Sequence, residues 1–98
     1  MSQAGPDEAQ RQMIQRIQVQ KQKLAAAQAA QGAERQKLMT EQMKMMQESM
    51  AKMQSMKPRA GMSPKEKDEW MAEYQKLMGQ LMGQMMEEHH MMMQGTGT

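Results

Sequence analysis

The chain is expected to be all-α: an antiparallel, coiled-coil-like helical hairpin, elongated and Met-rich, with a long N-terminal helix that overhangs its partner. Three observations predict this. Eighteen of the 98 residues are Met, and from Met39 onward they recur at helical spacing. Gln, Met, Ala, Lys, Arg and Glu dominate the composition, and all of them are good helix formers. Two punctuation marks, Lys57-Pro58 and Ser63-Pro64, divide the sequence into two helical stretches.

The first stretch is predicted to run over 6–57, as an arm (6–28) and a seam (29–57), after a flexible N-terminus at 1–5. Continuous helix of that length would reach about 75 Å at 1.5 Å per residue, with Gly32 as its weakest point. In the seam, Met39, Met43, Met46, Met50 and Met53 alternate steps of four and three, the spacing of one helix packed on another. Proline disfavours a helical residue before it and cannot donate to the helix ladder, so the helix stops at Lys57-Pro58. A turn over 58–63 follows, with Gly61 inside it.

Ser63-Pro64-Lys65-Glu66 then opens the second helix, predicted over 64–93, with a flexible tail at 94–98. Ser63 is placed as N-cap, Pro64 at the first helical position and Glu66 to complete a capping box. Met71, Tyr74, Met78, Leu81, Met85 and Met92 form its expected seam, with Glu88 as the break. Trp70, Leu77, Met82, Met86 and Met93 widen its apolar face further, against a polar stripe of Glu73, Lys76, Gln80, Gln84 and Glu87. Folding about residue 60 would set Met50 opposite Trp70 and Met39 opposite Leu81 or Met82, leaving the arm uncovered.

Composition narrows the function classes. With no Phe and only Trp70 and Tyr74 as aromatics, at a mean hydropathy of −0.92, bulky core material is scarce and helix pairing must supply stability. The lack of Cys excludes disulfides, zinc-thiolate sites and thiol catalysis. No apolar run is long enough to span a membrane, and the first residues read as neither signal nor transit peptide, so a cytoplasmic location is expected. His89 and His90 have no nucleophile or pocket-forming constellation near them in sequence, and the chain is expected not to be an enzyme.

A protein partner is the expected complement. Uncovered Ile14, Ile17 and Leu24 on the arm, with Trp70, Met82 and Met86 on the second helix, are the predicted partner-binding residues, for a larger assembly or for a bundle of the chain's own copies. Net charge is only +2, yet four basic and no acidic residues lie between Glu8 and Glu34, which suits an acidic partner surface. The arm has neither aromatic interleaving nor a recognisable reading module, so nucleic acid is not the expected partner. No cofactor is expected under this account. The competing class is a Cu(I) or Ag(I) protein: Met85, Met86, His89, His90 and Met93 form i, i+4 pairs of soft and borderline donors at the end of the second helix.

Overall fold

Helix formation begins at Asp7, whose carboxylate accepts the Gln10 N–H at 2.9 Å while the Gln10 side chain accepts the Asp7 N–H at 3.4 Å. This reciprocal cap starts helix α1, Glu8–Ala29. The computed structural model describes residues 5–95. Two more helices follow among them, α2 over Gly32–Ser55 and α3 over Pro64–Gly95, with no strand.

The single long helix expected over 6–57 is therefore corrected. Ala30 and Gln31 are extended, Gly32 takes a φ of 61°, a left-handed value that suits glycine, and the chain reverses there. Burial explains why two helical residues are given up. A straight helix would leave Met13, Ile17 and Leu24 in water, whereas folding back takes them to 1%, 6% and 2% exposure, each burial contributing about 1.5 to 3 kcal/mol. The overhanging arm is thus the first helix of a three-helix bundle.

The second connection follows the sequence expectation closely. After the Met56 cap the chain turns through Gly61, at φ 85°, to Ser63. The Ser63 hydroxyl accepts the Glu66 N–H at 3.1 Å and the Glu66 carboxylate accepts the Ser63 N–H at 2.9 Å. Those bonds from Ser63 hold the Glu66 carboxyl below its ordinary range, with Arg59 at 3.2 Å adding to the effect. From this cap α3 runs unbroken through Gly79 and Gly83 to Gly95, two residues past the expected end, for about 48 Å. The remaining expected flexible ends, at 1–4 and 96–98, lie outside the described residues.

Side-chain contacts fix the topology as up, down, up. Arg16 pairs with Glu48 and Gln42 reaches Gln20, so α1 and α2 are antiparallel. Gln10 reaches Trp70, Gln20 reaches Gln84 and Gln28 reaches Glu87, so α1 and α3 run parallel. The rod measures 56 × 18 × 17 Å.

Each helix contributes a buried row at three-four spacing: Gln10, Met13, Ile17, Gln20, Leu24 and Ala27 from α1; Met39, Gln42, Met46, Ser49 and Met53 from α2; Trp70, Leu77, Leu81, Gln84, Glu88 and Met91 from α3. One apolar cluster joins Met13, Ile17, Met46, Met53, Leu77 and Leu81. A second joins Leu24, Ala27, Met39 and Met91. Met39 therefore meets the end of α3, not Leu81 or Met82 as hairpin folding had set it. The expected inner seam of α3 is also corrected, because Trp70 and Leu77 face the core while Met71, Met85 and Met92 stay outside.

A polar layer separates the two clusters. The Gln20 amide donates to Gln84 Oε1 at 2.8 Å, the Ser49 hydroxyl donates to Gln20 Oε1, Gln42 Nε2 donates to the Gln20 carbonyl at 2.9 Å, and Gln84 Nε2 donates to the Ile17 carbonyl at 3.0 Å. Sliding any helix by one turn would strand several of these buried amides, so the layer sets register.

Candidate functional site

With α1 packed inside, the basic residues of the expected arm find local partners. Arg16 donates to the Ser49 hydroxyl at 2.6 Å, the Met45 carbonyl at 3.1 Å and Glu48 at 3.0 Å, and Arg11 pairs with Glu8 at 2.9 Å. The acidic-partner expectation loses two of its four cations to these contacts. Of the residues expected to bind a partner, Ile17, Leu24 and Trp70 are buried in the bundle and Ile14 is half-buried against the first cluster. Trp70 is further committed: its indole N–H donates to Asp7 at 2.8 Å and its ring stacks on Tyr74 at 5.3 Å. Only Met82, at 47% exposure, and Met86, at 71%, remain on the surface.

Those two belong to a longer row. On the solvent side of α3, Met71, Gln75, Met78, Met82, Met85, His89 and Met92 follow alternating steps of four and three, a second heptad seam on the same helix. Met78 is half-buried and the other six are exposed. No Lys, Arg, Asp or Glu interrupts the seam, and Gly79 and Gly83 beside it have open space where a side chain would be. The pattern was visible in the sequence, where Met71, Met78, Met85 and Met92 were assigned to the inside. A helix with two three-four rows does not say which faces inward. The bulky Trp70, Leu77 and Leu81 decide it, because they fill the space between three helices better than flexible Met.

All five residues expected to bind metal lie on this side. Met82, Met85, Met86, His89, His90 and Met93 together line one shallow, open depression over the last turns of α3. The carboxylates beside them in sequence point elsewhere: Glu88 is 8% exposed in the bundle interior, and Glu87 accepts the Gln28 amide at 3.0 Å. His90 Nε2 lies 3.1 Å from the Gln94 amide nitrogen, which donates to it, whereas among the described residues no such contact ties down the His89 ring.

Glu88, which the sequence sets on the inward seam only as its break, is buried in the structure. Burial raises its carboxyl above the ordinary range. Its Oε2 and Gln42 Oε1 are the buried side-chain oxygens that have no hydrogen-bond partner among the described residues. Gln42 sits at a heptad position between Met39 and Met46, the signal that could have placed it inside. Among the described residues no helix is long and apolar enough to cross a membrane. No protein-family model, curated protein or solved structure matches the chain.

Proposed function

We propose that this chain is a non-enzymatic structural subunit that assembles by helix packing through the outward seam of α3, with a second copy of itself as the partner. The observation that carries this is the uncharged heptad row from Met71 to Met92, six of whose seven residues lie exposed on the solvent side of the bundle.

Its order supports self-pairing. Reversed about Met82, the seam reads nearly the same: Met71 meets Met92, Gln75 meets His89, and Met78 meets Met85. Two antiparallel copies of α3 would then set thioether against thioether and a polar pair, Gln75 with His89, at each end. A polar pair of that kind fixes register at some cost in stability. The flanking positions are complementary in size, with Ala72 facing Met93 and Gly79 facing Met86. With no charged residue in the row, like-charge repulsion does not oppose the approach.

The seam spans about 32 Å and a helix is about 10 Å wide, so each copy offers a footprint of roughly 300 Å². That is well below the roughly 800 Å² per partner of a standard interface, so pairing is reversible and concentration-dependent. Sedimentation velocity over a concentration series tests it. The native chain is expected to shift from monomer to dimer, while Met82→Asp stays monomeric with the same helical circular dichroism. A native chain that is monomeric throughout, or a Met82→Asp chain that dimerises equally well, contradicts the proposal. Sedimentation in a gentle extract of the source cells separates self-pairing from docking onto a different subunit.

A further inference from the structure

We propose that the C-terminal half of α3 holds one soft monovalent ion, Cu(I) or its analogue Ag(I), through Met82, Met85, Met86 and His89. These four stand at i, i+3, i+4 and i+7, a diamond on one helix surface whose neighbouring corners lie about 5 to 6 Å apart at Cβ. All four line the same depression. Met82, Met85 and Met86 are 47%, 36% and 71% exposed, so their side chains are free to turn without disturbing the core. Three rotatable bonds in each Met let the sulfurs converge on a point above the helix with no backbone movement.

The donor chemistry is selective. Thioether sulfur favours Cu(I) over hard cations, and neutral imidazole is an acceptable fourth ligand. Carboxylates, which would favour hard divalent ions, are directed away: Glu88 into the bundle and Glu87 onto Gln28. The two histidines are not equivalent. The Nε2 lone pair of His90 already accepts the Gln94 amide, so His90 would have to break that bond to ligate through Nε2. His89 has no such competitor among the described residues and completes the diamond with the three methionines. Site formation does not depend on self-pairing of α3, and binding is read on dilute, monomeric protein.

The test is titration of the full-length chain with Ag(I), following the Met methyl and His ring signals by NMR, alongside competition for Cu(I) against a chelator under reducing conditions. One equivalent is expected to shift Met82, Met85, Met86 and His89 and to leave buried Met13, Met46 and Met53 unmoved. Losing an outer-shell partner of a metal ligand already weakens binding 10- to 100-fold, so Met86→Leu and His89→Gln, which remove direct ligands, are each expected to weaken it by about tenfold or more. His90→Gln is expected to change it little. Circular dichroism of each variant confirms an intact helix, as expected for exposed positions. Shifts spread evenly over all exposed methionines, native-like binding by Met86→Leu, or a larger loss from His90→Gln than from His89→Gln would each overturn the assignment.

Discussion

Ile17→Ala is expected to destabilise the protein by about 2 to 5 kcal/mol, the cost of deleting a buried branched side chain together with the cavity left behind. Ile17 is 6% exposed and belongs to the cluster of Met13, Met46, Met53, Leu77 and Leu81, to which all three helices contribute. The flexible methionines around it can partly refill the space, which favours the lower half of that range. Domains of this size are stable by only about 5 to 15 kcal/mol, so the loss is a large fraction of the total. Urea unfolding followed by circular dichroism measures it. The result discriminates between two architectures, because on an overhanging arm Ile17 would be exposed and its truncation would fall within about 0.5 kcal/mol of neutral.

The second large effect has the opposite sign. Glu88→Leu is expected to raise stability at neutral pH by about 1 to 3 kcal/mol, the penalty of a buried polar group left without a partner. Glu88 sits at a core position with Oε2 unpartnered, and burial raises its carboxyl pKa. A raised pKa means that the folded chain holds the proton more tightly than the unfolded chain. The Glu88 contribution is therefore most favourable below the unfolded carboxylate range and is lost as pH rises through the folded pKa. The gain from Leu should accordingly be large at pH 7 and shrink as the medium is acidified toward the ordinary carboxylate range. Glu66 and Glu8, whose carboxyls are held low, contribute with the opposite slope, but both chains share them and they cancel in the difference. Thermal unfolding of the two proteins across that pH range reads the effect directly. A difference that does not change with pH would place Glu88 in water.

Much of α3 was legible in the sequence, for local reasons. Ser63, Pro64 and Glu66 act through bonds within one turn, so the start of the helix and its capping box are found where the sequence puts them. The break at Ala30 and Gln31 was not legible to the same degree. The Ala25 to Ala30 run favours helix, and Gly32 marks a weak point without saying whether the chain bends or reverses there. Reversal is decided by what it buries, a tertiary matter.

The inner face was hidden for a different reason. Gln10, Gln20, Gln42, Ser49, Gln84 and Glu88 occupy buried positions, and a search for apolar periodicity passes over them. Restored to the rows of α1 and α2, Gln10, Gln20, Gln42 and Ser49 extend the three-four repeat, and Gln84 and Glu88 do the same in α3. The candidate site was legible in its residues, since Met82 through Met93 stood out at once. Its orientation was not, because it depends on α1 occupying the side of α3 that a two-helix hairpin would have left open.

The central claim is that α1 folds back into the core and leaves the outer Met row of α3 in water. Site-resolved methionine oxidation tests it most directly: dilute native protein is treated with mild peroxide and each sulfoxide is quantified by peptide mass spectrometry. Met82 and Met86, at 47% and 71% exposure, are expected to oxidise rapidly, while Met13, Met46 and Met53, at 1%, 2% and 0%, react only as the fold opens. Oxidation of Met13 as fast as that of Met86 would contradict the account, because it would put the first helix back in solvent.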